Sequence, residues 1–230
     1  MGLLRVTAVI FDLDGTLIDS AGDLLRAANR MLGETGRAPL AALEFQSMIG
    51  DGVDALVARV LAARHCASVD PNSAARRFLE HYAAEPTTLT HAYPGTQQLL
   101  ETLQARGKKL AVCTNKPTRF VHQILERLSL DRYFTCVLGG DSLPFRKPDP
   151  RVVLEALKAL ETPASSALFV GDSEVDADTC TAAGVPFVLM THGYHRGPVA
   201  EIACVSALHR FEELGGVDQL IAGINRFMRV

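Results

Sequence analysis

The chain has 230 residues, nearly half of them apolar, which suits one large domain or one domain carrying a smaller insertion. A formal charge of -3 and a pI near 6.2 carry no electrostatic footprint for nucleic acid or for an anionic membrane surface. No apolar run approaches the roughly 20 residues of a membrane span, MGLLRV lacks the plan of a signal peptide, and the five scattered cysteines form no Cys-x-x-Cys pair. The expectation is a cytoplasmic protein with no disulfide framework and no zinc site.

In chain order, residues 5–11 form an apolar run that stops at Asp12 and reads as a buried strand. From residue 18 to about residue 86 the pattern is helical: Leu24, Leu25, Ala28, Met31 and Leu32 recur at helical spacing, as do Val53, Leu56, Val57, Val60 and Leu61. Gly36, Pro39, Gly50, Gly52 and Pro71 punctuate this stretch, and no strand is evident in it. Amphipathic helices are then predicted at 95–106, 118–128, 150–160 and 174–183, alternating with short apolar strands at 110–114, 135–138, 167–170 and 187–190. Gly107 and Gly184 stand where helix C-terminal caps belong. Strand alternating with helix predicts an α/β fold, a parallel sheet with helices on both faces. Residues 1–17 and 87–230 make this core, and 18–86 form an inserted all-helical domain.

Side chains alternate along a strand, so Asp12 and Asp14 point the same way. Ligands of open parallel sheets bind beyond the carboxyl ends of the strands. Asp12 and Asp14 stand at such an end, Thr114, Asn115 and Lys116 follow the second core strand, and Asp172 follows the fourth. Several carboxylates on one rim repel each other unless a cation joins them, and Mg²⁺ prefers oxygen ligands. Asp in these positions also serves as an ordinary turn or cap residue.

FDLDGTLIDS at 11–20, TNK at 114–116, Lys147 followed by Pro148, and GDSEVDAD at 171–178 resemble, in order and spacing, the four motifs of the haloacid dehalogenase superfamily in its DxDGT phosphatase branch. YPGTQQLLETL from Tyr93, TNKP, LGGDSLPFRKPDP and THGY look like the phosphoglycolate phosphatases within it. The resemblance implies a Rossmann-like core whose helical insert is a cap domain, and a Mg²⁺-dependent phosphatase acting on a small phosphate ester. It makes Asp12 the nucleophile and Asp14 the general acid and then base. It implies Mg²⁺ held by the side chains of Asp12 and Asp172 and the backbone carbonyl of Asp14. Thr114 and the Asn115 backbone N–H would bind phosphate oxygens, and Lys147 would supply positive charge. Asp176 would orient Lys147 or a metal-bound water, Gly15 would form a tight turn, and Thr16 would belong to the phosphate loop or the turn. Asp178 matches no motif position, and Lys116 is left between the rim and the surface.

The insert contains no Lys; its cations are Arg26, Arg30, Arg37, Arg59, Arg64, Arg76 and Arg77. A substrate carboxylate, as in 2-phosphoglycolate, calls for a bidentate Arg or backbone N–H groups. Arg59, on the helix after Gly50-Asp51-Gly52, is the candidate; the alternative is a solvated arginine beside the apolar stripe. His192, Tyr194 and His195 follow the last predicted strand near the rim and read as loop residues. A sugar phosphate, a nucleotide monophosphate or pyrophosphate, a mutase reaction and a non-catalytic binding role are the rival readings, and either a monomer or a homodimer is compatible.

Overall fold

A computed structural model of the chain describes residues 6–211. Six parallel strands, β1 (Ala8–Phe11), β4 (Lys109–Cys113), β5 (Cys136–Leu138), β6 (Ala167–Gly171), β7 (Phe187–Met190) and β8 (Ser206–Leu208), form one sheet in the order β5-β4-β1-β6-β7-β8. Alternation along each strand divides the core in two. Val9, Phe11, Leu110, Val112, Leu168 and Val170 pack on one face, against α5 (Thr96–Ala105) and α6 (Thr118–Arg127). Ala8, Ile10, Ala111, Cys113, Ala167 and Phe169 pack on the other, against α7 (Arg151–Ala159) and α8 (Glu174–Ala183). Helices thus cover both faces, which is why the central strands are apolar on both sides.

The chain builds outward from β1 through β4 to β5, then crosses to β6 and continues to β7 and β8. The strand order reverses between β1 and β6, and a ligand crevice opens beyond the carboxyl ends at such a reversal. Ala8 to Phe11 pair in register with Ala167 to Val170, so Asp12 stands level with Gly171 and Asp172 follows one residue beyond on the neighbouring strand. The Asp12 N–H extends the ladder by donating to the Val170 carbonyl at 2.9 Å.

Four helices follow β1: α1 (Ala21–Glu34), α2 (Ala42–Gln46), α3 (Val53–Ala63) and α4 (Pro71–Ala84). They are flanked by two strands of two residues each, β2 (Ile18–Asp19) and β3 (His91–Ala92), paired antiparallel. β2 lies inside the stretch that reads as wholly helical, because two residues are too few to show a period. The α1 stripe of Leu24, Ala27, Ala28, Met31 and Leu32 packs with Leu56, Val57 and Val60 of α3 and Phe78 and Tyr82 of α4. Tyr82 also meets Phe120 of α6 edge to face, with ring centroids 4.7 Å apart, so the helical layer rests on the sheet layer.

Candidate active site

β1 delivers Asp12 to the rim, where it is 5 % exposed. Its Oδ1 lies 3.0 Å from the Lys147 ammonium but has no hydrogen-bond partner among the described residues. Lys147 turns its better contact to Asp176, at 2.6 Å. Asp176 is held from its other side: Ser173 opens α8 as a capping box, and Asp176 Oδ2 accepts from the Ser173 hydroxyl at 2.7 Å and from the Ser173 and Asp172 backbone N–H groups at 3.2 Å. The Ser-x-x-Asp spacing therefore fixes one carboxylate oxygen and leaves the other to set the lysine.

Asp172 accepts a hydrogen bond from the Thr16 hydroxyl at 2.8 Å and another from the Tyr194 backbone N–H at 2.7 Å. Two glycines permit this. Gly15 has φ +83, and a Cβ there would stand 2.2 Å from Asp172 Oδ2; a Cβ on Gly193 would stand 2.2 Å from Asp172 Cβ.

The carboxylates of Asp12, Asp172 and Asp176 lie within 4.8 Å of one another. Burial pushes the Asp12 carboxyl up to about 6, against the pull of Lys147. Burial, then the charges of Asp12 and Asp176, hold Asp172 well above the usual carboxylate range. Burial works against the charge on Lys147, but Asp12 and Asp176 outweigh it and raise the ammonium above its ordinary range. One lysine faces three carboxylates, and Asp12 Oδ1 has that ion pair but no hydrogen bond among the described residues. This donor set has the chemistry of a hard-cation site, because a divalent ion would satisfy the orphaned oxygen and relieve the repulsion.

The Asp14 side chain stands apart from that cluster. It takes the Ser20 hydroxyl at 2.5 Å and the Lys116 ammonium at 2.9 Å and 3.2 Å. Ser20 is the N-cap residue of α1, yet makes no side-chain cap bond, its hydroxyl being turned to Asp14. Thr114 and Asn115 are buried on the rim, and the Asn115 amide donates to the Gly50 carbonyl at 3.2 Å and the Lys147 carbonyl at 3.0 Å.

Arg59 does not line the cavity above the rim. Its guanidinium donates to the Met48 carbonyl at 2.7 Å and pairs with Asp51, so it braces the turn before α3. Asp178 is exposed. Two residues left without a role by sequence reasoning stand close to the rim. Lys116 is buried against Asp14; the signal was its place two residues after Thr114. The Tyr194 hydroxyl accepts from the Ser20 and Ala21 N–H groups at 2.9 Å and 3.1 Å and donates to Asp19 at 2.7 Å, while its own N–H reaches Asp172. Nothing in the loop's composition announces that link. His192 packs at a tilt against Tyr93, with centroids 4.0 Å apart, and His195 Nδ1 lies 2.9 Å from the Gly197 carbonyl.

A family model for haloacid dehalogenase-like hydrolases matches residues 9–190. A phosphoglycolate phosphatase of Cereibacter sphaeroides is 45 % identical over 209 residues, covering 90 % of this chain and 94 % of that one. A phosphoglycolate phosphatase of Rhodospirillum rubrum is 45 % identical over 214 residues, with 90 % and 89 % covered. A crystal structure described as a predicted phosphoglycolate phosphatase from Haemophilus somnus superposes with a TM-score of 0.89 at 30 % identity, covering 94 % of this chain and all of that one. The match spans every rim residue from Asp12 to Asp176, and the chain belongs to the haloacid dehalogenase-like hydrolase family.

Proposed function

We propose that the chain is a Mg²⁺-dependent phosphatase that hydrolyses a small phosphate monoester through an aspartyl-phosphate on Asp12, with 2-phosphoglycolate as the leading substrate. The observation that carries the reading is the buried Asp12 Oδ1, without a hydrogen-bond partner, beside Lys147 and within the Asp172 cluster. The names of the relatives support the choice of substrate.

Asp12 attacks phosphorus, forming one O–P bond as the ester O–P bond breaks. Lys147, held in place by Asp176, and Thr114 with the Asn115 N–H stabilise charge on the phosphoryl oxygens. Asp14 gives its proton to the departing alkoxide, then takes one from the water that releases phosphate from Asp12. The Asp12 and Asp172 side chains and the Asp14 carbonyl would hold Mg²⁺, which when bound supplies positive charge against the carboxylates and the phosphoryl group.

Residues 18–86 act as the cap over a core of 1–17 and 87–230, with the β2–β3 pair at its neck. Closure excludes water and restricts the rest of the substrate. The cavity between rim and cap measures about 40 Å³ and is partly open to solvent. A panel of phosphate esters assayed for phosphate release with and without Mg²⁺ tests this. The reading expects Mg²⁺-dependent turnover led by 2-phosphoglycolate; a sugar phosphate or nucleotide in first place would move the substrate assignment, and little free phosphate with a bisphosphate requirement would indicate a mutase.

A further inference from the structure

We infer that Lys116 and Tyr82 form a recognition site for a second acidic group of the substrate, a carboxylate held close to the scissile phosphate. The inference rests on the phosphatase reading above and adds what selects the substrate.

Lys116 is the only cationic side chain among the described residues that line the cavity between rim and cap. Three neighbouring arginines are occupied elsewhere. Arg59 and Arg196 both pair with Asp51, and Arg146 lies 3.4 Å from Asp54. The Lys116 ammonium has three N–H donors. Beyond Asp14, it meets Tyr82, whose ring centroid lies 4.8 Å away and whose hydroxyl also faces the ammonium. The pull of Asp14 and then Tyr82 outweighs burial and keeps it charged.

Tyr82 supplies a second indication. It is 2 % exposed, its side chain lines the same cavity, and no described residue accepts a hydrogen bond from its hydroxyl, which stands beside the Lys116 ammonium. A buried O–H that donates to no protein oxygen is one that a ligand oxygen would satisfy. Burial pushes this phenol up to about 12, so at neutral pH it is an O–H donor. The rest of the wall is mostly apolar: Leu24, Ile49, Val53, Leu56, Phe78 and Phe120. A buried cation and a buried donor in an apolar wall suit one small anion. Lys116 comes from the sheet layer and Tyr82 from α4, so a carboxylate held by both would touch the two layers at once.

The test compares two substrates in the full-length enzyme with Mg²⁺: 2-phosphoglycolate and 2-hydroxyethyl phosphate, which replaces the carboxylate by a hydroxymethyl group. The quantity read is the ratio of their kcat/KM values. Tyr82→Phe removes only the hydroxyl, so the melting temperature should hold while the ratio falls about tenfold; Lys116→Met should lower the ratio about 100-fold. Loss of rate on both substrates with the ratio preserved would overturn the inference and leave Lys116 as a support for Asp14, with the phosphatase reading intact. Equal wild-type rates on the two substrates would also overturn it. Release of phosphate from neither, nor from any other phosphate ester, would instead remove the phosphatase reading itself.

Discussion

Replacing Asp172 by Asn should stabilise the metal-free protein while removing its response to Mg²⁺. The carboxylates of Asp12, Asp172 and Asp176 lie within 4.8 Å of each other. At an effective dielectric constant of about 20, two like charges at that separation repel by about 3.5 kcal/mol. Lys147 offsets one of the two charges that face Asp172, which leaves about one such repulsion. Asn keeps both hydrogen bonds, because its amide oxygen can accept from the Tyr194 N–H while its NH₂ donates to Thr16, whose hydroxyl can turn to accept. Losing the charge-assisted character of those bonds costs about 1 kcal/mol. The net gain is about 2 kcal/mol, or about 4–8 °C in melting temperature for a chain of this size. In the wild type, Mg²⁺ at about 100 times its dissociation constant should add about 2.7 kcal/mol. Thermal melts at neutral pH in EDTA and in MgCl₂ measure both effects. A variant that melts below the wild type in EDTA, or that still rises with Mg²⁺, would refute the reasoning.

Lys147→Met should leave Asp12 and Asp176 buried and unpaired, lowering stability by about 3–5 kcal/mol in a denaturant titration. Gly15→Ala must shift either the φ +83 turn or Asp172, so phosphate release should fall sharply and the Mg²⁺ concentration for half-maximal rate should rise. The folded Asp12 carboxyl is raised to about 6 from 3.8, so its stabilising contribution is present below 3.8 and is lost as pH rises through about 6. Without metal, the stability of Asp12→Asn relative to wild type should therefore climb between pH 4 and pH 7 by an amount on the order of 3 kcal/mol, read from denaturant titrations; a flat difference would count against the shift.

The sheet was readable because each inner strand is a short apolar run bounded by turn residues, and because Asp12, Thr114 and Asp172 follow three of them. β8 went unread: of Ser206, Ala207 and Leu208 only Leu208 is buried, so no alternation forms. β2 and β3 owe their existence to each other, a pairing across more than seventy intervening residues that no local window contains. Within the site, the roles of Lys116, Tyr82 and Tyr194 depend on which distant element folds over them. Arg59 illustrates the same limit: its helix was legible, but its engagement by Met48 and Asp51 depends on how the preceding turn folds back.

The central claim is that Asp12 carries the phosphoryl group and Asp14 manages the proton. An acid-quenched turnover with phosphoryl-labelled 2-phosphoglycolate, followed by peptide mapping, tests it directly. Asp14→Asn should slow both the departure of the alkoxide and the release of phosphate, so that label comes slowly onto the peptide containing Asp12 and persists there, and Asp12→Asn should carry none. Label retained in Asp12→Asn, or free phosphate released by it at the wild-type rate, would contradict the account.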